Sequence, residues 1–237
     1  MSYYRYYWDP TYVLVLIGAL LSIMASAHVK SVFQKYSRIG VLSGATGRDT
    51  AETLLNRAGI YDVSINAVAG SLTDNFNPRN MTVNLSEPVY GGRTISAVSV
   101  AAHECGHAMQ HHNRYAMLAF RSALVPVANI GSKIGIPIIL VGMLFSAGGA
   151  GSILTNIGIW CFSLSVLFQL VTLPVEFNAS SRALAALKEQ HLLEDSELAG
   201  AKKVLSAAAL TYVASAAASI LTLLRLIMIF GGNRRRD

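Results

Sequence analysis

The sequence predicts a mostly α-helical membrane protein that crosses the bilayer several times and carries an α+β part with a small sheet. Of the 237 residues, 53% are hydrophobic and only 14% are charged, whereas about a quarter of an average soluble domain is charged. Four apolar stretches approach the roughly 20 residues needed to cross about 30 Å of hydrocarbon. The polar stretches between them contain helix-cap residues and short alternating segments typical of strands.

The four predicted spans are residues 12–27, 124–145, 153–174 and 204–230. An aromatic cluster before the first span is typical of a headgroup-level belt; it comprises Tyr3, Tyr4, Tyr6, Tyr7 and Trp8. Because the chain begins with aromatic and not with basic residues, we interpret the first span as an anchor, with cleavage after residues 25–27 as the alternative.

The other spans differ in their polar residues. The second contains Pro126, Asn129, Lys133 and Pro137, so we expect it to kink or to become fully apolar only after Lys133. The third carries no charge. The fourth is interrupted only by Arg225, whose side chain can extend outward to the interface.

Two polar regions, residues 28–121 and 175–203, are predicted to carry the function. Asp49 or Thr50 is expected to cap a helix that runs through Arg57 and ends at Gly59. Residues 61–65 and 81–85 alternate as short strands do, and residues 74–80 are typical of a turn. With the spans, these regions predict one membrane-embedded domain over residues 1–237.

The run His103-Glu104-Cys105-Gly106-His107 is the most informative part of the chain. On a helix, the four-residue step places His103 and His107 on one face, where both can bind one zinc ion. Glu104 lies beside them, in the position of a general base for a zinc-activated water. Because residues 95–102 are small and apolar, an unpartnered cluster of this kind would be costly to bury, which favours a metal over a satisfied polar cluster.

Cys105 is expected to point away from the metal and to pack in the core. The second cysteine, Cys161, lies inside the third span, so no disulfide framework is implied.

Catalytic zinc takes three protein ligands and keeps one open position. The residue ten positions after His103 is Asn113, and we expect solvated or capping roles for His111 and His112. Glu176 is the better third ligand, because it follows Pro174 at the end of the third span, at the membrane boundary of the motif helix. Its alternative role is a helix-start carboxylate favoured by the helix dipole. The remaining downstream glutamates are expected on a solvated helix surface: Glu189, Glu194 and Glu197.

The strand that ends at Ser86 directly precedes the motif helix. Zinc peptidases commonly hold an extended substrate against an edge strand, so this strand is expected either to pair with substrate backbone or merely to pack.

The net charge of +6 is best explained by membrane topology and not by nucleic acid. With four spans, both polar regions lie on one side of the membrane and both termini on the other. Nine basic residues flank the spans on the side of the motif: Lys30, Lys35, Arg38, Arg114, Arg121, Arg182, Lys188, Lys202 and Lys203. Four lie on the other side, namely Arg5, Arg234, Arg235 and Arg236. We therefore expect an active site that faces the cytoplasm from the cell membrane.

Several segments together resemble the YugP-like neutral zinc metallopeptidases, over most of the chain. They are residues 70–74, Asn77-Pro78-Arg79, Leu85-Ser86, residues 100–110 and residues 173–177. The resemblance implies a membrane-embedded zinc peptidase with a zincin-like, gluzincin-type catalytic part, and it carries the third ligand onto Glu176.

Five positions depart from related patterns. The site is similar to membrane zinc proteases of the heat-shock and prenyl-protein-processing kind, which place an acidic residue four positions after the ligand glutamate; here that position is Ser180. The closer family often has Asp-His-Tyr-Asp-Pro and Glu-Phe-Asp-Ala-Ser where this chain has residues 74–78 and 176–180. The differing residues are Asn75, Phe76, Asn77 and Asn178. The departures leave the ligands intact and concern the groups around them.

The sequence therefore predicts a zinc-dependent endopeptidase that acts on membrane-near or misfolded polypeptides, with Glu104 as general base. Four residues are chemically able to stabilise the oxyanion: Tyr90, His112, Tyr115 and Arg182. A catalytically silent zinc-binding scaffold that acts through partners is the alternative, but a structural zinc needs no base such as Glu104. A transporter, suggested by Asn129 and Lys133, does not explain the motif helix.

Overall fold

The computed structural model describes residues 9–145 and 150–231. Within them the helices are α1 Tyr12–Tyr36, α2 Gly47–Arg57, α3 Glu87–Tyr90, α4 Ile95–His112, α5 Ala116–Leu144, α6 Ala150–Glu189 and α7 Asp195–Phe230. The strands are β1 Ser64–Val68, β2 Asn75–Asn77 and β3 Thr82–Ser86. The predicted aromatic belt (residues 3–8), Arg5 and the three terminal arginines lie outside the described residues.

The chain forms two compact units. One, which we name the apolar unit, consists of the chain up to Met24, Leu124–Leu170 and the chain from Val213. The other, the sheet unit, consists of Ala25–Ala123 and Val171–Tyr212. Whether they make one functional domain stays a prediction.

Four helices in the described part of the chain are long and apolar enough to cross a membrane, namely α1, α5, α6 and α7. This confirms a mostly helical protein with several spans, and each helix extends beyond the apolar stretch that predicted it. Pro126 and Pro137 lie inside the single helix α5.

Within the apolar unit, glycines let α5 and α6 approach closely. A Cβ atom at Gly131 would lie 2.3 Å from the Cys161 carbonyl oxygen, and one at Gly142 would lie 2.5 Å from Thr155 Oγ1. In the same unit, the side chain of Arg225 contacts two other side chains. Its guanidinium lies 3.0 Å from the Asp9 carboxylate and over the Tyr12 ring, 4.0 Å from the centroid.

The sheet of the sheet unit has the strand order β1-β3-β2. β3 pairs in parallel with β1 and antiparallel with β2. The expectation that β3 is an edge strand open to substrate is therefore wrong. The stretch predicted as a turn contains β2, and this short strand pairs with the side of β3 that β1 leaves free.

Helix α2 begins a few residues earlier than predicted. Its N-cap is Thr46, which exchanges hydrogen bonds with Asp49 in a capping box. The predicted end holds, because Gly59 takes a positive φ of 72° directly after the helix.

Helix α4 is buried along the face opposite its histidines. Val98, Ala101, Ala102 and Cys105 are fully buried in the core of the sheet unit. Cys105 Sγ lies 3.7 Å from the Ala51 carbonyl oxygen of α2, and burial raises the pKa of its thiol. The prediction of a packing role for Cys105 is confirmed, and this packing leaves His103 and His107 on the remaining face.

Helix α6 continues through Pro174, so Glu176 lies well inside a helix and not at its start. The alternative of a helix-start carboxylate is therefore wrong. Residues 175–203 comprise the last turns of α6, a short connection and the first turns of α7. There Glu197 is buried and accepts hydrogen bonds from the backbone N–H groups of Leu42 and Glu194 at 2.8 and 2.9 Å, so its predicted solvated role is wrong.

Candidate metal centre

Helices α4 and α6 bring His103, His107 and Glu176 together. The Oε2 atom of Glu176 lies 3.3 Å from His103 Nε2 and 3.5 Å from His107 Nε2. These three residues form a group of potential metal ligands within the described part of the chain. Their ligand atoms all lie within 4.8 Å of one another. The side chains of the two histidines are 13% and 12% exposed and that of Glu176 is 3% exposed, so a small opening remains on the histidine side.

The spacing fits zinc. Ligand atoms at about 2.0–2.2 Å from a tetrahedral zinc ion lie about 3.3–3.6 Å apart, the range found between Glu176 and each histidine. Direct charge-assisted hydrogen bonds would be shorter, about 2.7–2.9 Å. The donor types fit as well. Catalytic zinc sites can use two imidazoles and one carboxylate, and they keep a fourth position open.

Gly106 explains how the two helices come so close. A Cβ atom at this position would lie 2.4 Å from the Ala179 carbonyl oxygen, so only glycine lets the backbones meet here. On the facing helix, every fourth residue from Val175 is fully buried, namely Val175, Ala179, Ala183 and Leu187. The glycine of the five-residue motif is thus a packing requirement of the site.

The outer nitrogens of the two histidines have neutral partners. His103 Nδ1 lies 3.2 Å from Ser180 Oγ, and His107 Nδ1 lies 3.0 Å from Gln110 Oε1. Nε2 of Gln110 donates to the Val175 carbonyl oxygen at 2.8 Å and to Asn178 Oδ1 at 3.0 Å. Ser180 and Asn178, two departures from the related patterns, are therefore both part of the surroundings of the ligands.

Carboxylates dominate the electrostatics of His107. Burial disfavours its charged form, but hydrogen bonding to Glu176 and the charges of Glu104 and Glu176 outweigh burial and raise the pKa of His107 above its ordinary value. The negative charge of the same two carboxylates would also attract a metal cation.

Glu104 does not belong to the group of three candidate ligands. It is 7% exposed, and its Oε2 accepts a hydrogen bond of 2.8 Å from the backbone N–H of Phe76 in β2. Just before β2, the Asp74 carboxylate accepts hydrogen bonds from the Ser86 backbone N–H at 2.7 Å and from its hydroxyl, which holds β2 against the end of β3. Burial raises the pKa of Asp74. The edge strand thus holds the carboxylate of Glu104.

Two residues that the sequence did not single out for the site lie beside Glu176. Arg121 of α5 has a guanidinium nitrogen 4.0 Å from Glu176 Oε1, and the side chain of Tyr212 of α7 lies beside the Glu176 carboxylate. The only sequence signals were a tyrosine and an arginine in otherwise apolar surroundings.

The residues predicted as oxyanion candidates have other contacts. Tyr90 packs against the core, and His112 is exposed at the end of α4. The Tyr115 ring lies 5.9 Å from the Arg182 guanidinium, whose Nε donates to Asn178. His111 is exposed, in line with its expected solvated role.

Comparison with known proteins adds an independent line of evidence. Residues 11–231 match the family described as "Putative neutral zinc metallopeptidase". The chain is also 48% identical over 225 residues to a protein of Bacillus subtilis (strain 168) named "Putative membrane protease YugP", covering 94% of this chain and 98% of that protein. No solved structure matches the chain.

Proposed function

The chain belongs to this family of neutral zinc metallopeptidases, and from that membership we propose that it is an integral membrane, zinc-dependent endopeptidase. The proposal rests on one observation: the candidate zinc ligands and the candidate general base are held by different parts of the structure. Glu176 lies 3.3 and 3.5 Å from the two histidines, and all three groups are suited to zinc. Glu104 directly follows His103 in the sequence, but its carboxylate is held by strand β2.

His103, His107 and Glu176 would hold the zinc, which when bound supplies a Lewis acid and lowers the pKa of water to about 7. Glu104 takes the proton of the attacking water and returns it to the leaving amine. The Phe76 N–H holds the Glu104 carboxylate in place for both transfers.

We propose that the substrate is an extended polypeptide that lies along β2. This strand is an edge of the sheet and contacts Glu104 through its backbone. Main-chain pairing would give binding that tolerates many sequences, as expected for membrane-near or misfolded polypeptides. The bilayer is the other partner, and the site faces the cytoplasm.

The test is zinc content and cleavage of an unfolded polypeptide by detergent-purified wild type, Glu104→Gln and Glu176→Gln. We expect Glu104→Gln to keep its zinc and to lose about 10²–10⁴-fold in cleavage rate, because the general base is gone. Glu176→Gln should lose both zinc and cleavage. Glu52→Gln, an exposed glutamate of α2, is the matched control and should behave as wild type.

Stoichiometric zinc in the wild type without cleavage of varied unfolded polypeptides would contradict the proposal and favour the zinc-binding scaffold. Full activity of Glu104→Gln would remove its role as general base.

A further inference from the structure

We propose that Gln110 is a positioning residue that fixes the tautomer of His107 and so aims the lone pair of its Nε2 at the metal. The inference rests on the zinc site of the proposed function. It concerns how this chain prepares one ligand before any metal binds.

The surroundings of Gln110 determine which way its amide points. Gln110 is fully buried, and one end of its amide faces the Val175 carbonyl oxygen and Asn178 Oδ1. A backbone carbonyl only accepts hydrogen bonds, so the NH₂ group must be the end that faces it. Reversing the amide would bury the Gln110 oxygen against two oxygens, with no hydrogen between them.

Arg182 determines in the same way which atom of the Asn178 amide faces Gln110. Its guanidinium only donates, and its Nε lies 2.8 Å from the side-chain atom of Asn178 that also faces Gln110. That atom is therefore the oxygen of Asn178, and it accepts from Arg182 and Gln110 together. Both hydrogens of the Gln110 amide are thus committed to α6.

The remaining end of the amide decides the state of His107. Oε1 of Gln110 lies 3.0 Å from His107 Nδ1 and can only accept, so Nδ1 carries the hydrogen. In neutral His107 the lone pair is then on Nε2, the atom 3.5 Å from Glu176. This is the tautomer that binds zinc through Nε2.

The other histidine of the motif, His103, has a partner that does not fix its tautomer. Its Nδ1 faces the Ser180 hydroxyl at 3.2 Å, and a hydroxyl can donate or accept. Ser180 therefore accommodates either tautomer of His103, whereas Gln110 selects one tautomer of His107. The two ligands of the motif differ in how far they are prepared for the metal.

The test measures Zn²⁺ affinity and the state of the imidazole in the full-length, detergent-purified protein. Gln110→Met has a similar length but no acceptor, and Gln110→Glu keeps an oxygen acceptor facing His107. Affinity is measured by competition with a chromophoric chelator. Gln34→Met, which replaces an exposed glutamine of α1, is the matched control.

We expect Gln110→Met to weaken Zn²⁺ binding about 10–100-fold, the usual effect of losing a partner of a ligand histidine. Gln110→Glu should bind Zn²⁺ more tightly than Gln110→Met, because one oxygen still faces His107 and the other can carry a proton toward the Val175 carbonyl oxygen. Gln34→Met should bind as wild type. Wild-type affinity in Gln110→Met would overturn the inference, even if that variant unfolds at a lower temperature, because the role would then be packing alone.

A second measurement needs no substitution at Gln110. The ¹⁵N chemical shifts of labelled histidine in the zinc-free wild type, above the pH at which His107 titrates, report its tautomer; His107→Gln assigns the signals. We expect hydrogen on Nδ1, and hydrogen on Nε2 would overturn the inference. Both readouts are taken without substrate, so a failure of peptide cleavage would contradict the proposed function alone.

Discussion

At the scale of single residues, the two carboxylate oxygens of Glu176 have different neighbours. Oε2 is shared by the two histidines, while Oε1 faces Arg121 and the side chain of Tyr212 lies beside the carboxylate. A buried carboxylate needs such partners to remain charged. The same two groups are hydrogen-bond donors beside the candidate metal centre, where negative charge would develop during peptide hydrolysis.

Replacing Tyr212 with phenylalanine tests this role. We expect Tyr212→Phe to lower kcat about 10²–10³-fold while zinc content stays stoichiometric, because one donor to the developing oxyanion is lost. Steady-state kinetics on an unfolded polypeptide, with zinc measured on the same samples, is the check. Tyr61→Phe, at a tyrosine that is 80% exposed, should leave both unchanged. Loss of zinc with unchanged kcat per bound zinc would instead mean that Tyr212 only supports Glu176.

Sequence reasoning found the candidate ligands because their signals are local. His103 and His107 are related by one helical turn, and Glu176 follows an apolar span; the structure brings all three together, and their metal binding stays a prediction. Tyr212 lies in a long apolar helix, where nothing in its neighbourhood marks it. The prediction of a solvated Glu197 is wrong for a similar reason. Its partner, the Leu42 backbone N–H, is 155 positions away, so the sequence around Glu197 does not indicate the contact.

At the scale of elements, the site depends on the contact between α4 and α6. We expect Gly106→Ala to weaken Zn²⁺ binding and to lower the free energy of unfolding by about 1–3 kcal/mol, because the added methyl group meets the Ala179 backbone. Chelator competition and thermal unfolding measure the two effects. Gly91→Ala is the control, since a Cβ there meets nothing within 4 Å. Wild-type zinc affinity in Gly106→Ala would show that the helices can separate without moving the ligands.

The sheet was harder to predict than the helices. Helix α4 begins after Thr94, where the apolar run predicts it, because helical contacts are close in sequence. β2 has only three residues, in a stretch rich in turn-forming types, and it becomes a strand by pairing with β3. That pairing is a contact between segments, which local patterns do not specify. The error about the edge strand followed directly from missing β2.

At the scale of the whole molecule, the resemblance to the zinc metallopeptidase family is confirmed, and so are several membrane spans. Hydropathy underestimated the helices, because α1, α6 and α7 continue as helix past their apolar stretches into residues of the sheet unit. A pattern based on transfer into lipid detects only the apolar part of such a helix.

The predicted orientation can be tested by labelling cysteines in intact cells. Glu52→Cys places a thiol on exposed α2, and Leu144→Cys places one at the end of α5, where the side chain is 83% exposed. With four spans and the motif side in the cytoplasm, a membrane-impermeant maleimide should label Leu144→Cys but not Glu52→Cys. The reverse pattern would place the site on the outer side, and permeabilised cells, where both should react, provide the control.

The course of the chain through the two units limits how the protein can be divided. The sheet unit is assembled from two separate stretches, Ala25–Ala123 and Val171–Tyr212, and the apolar unit contributes the connection between them. Glu176 follows in the same helix as residues of the apolar unit, with no loop between them at which the gene could be cut. No contiguous fragment therefore contains the complete candidate site without its spans. A truncation that keeps both stretches of the sheet unit must therefore also keep the residues of α5 and α6 that connect them.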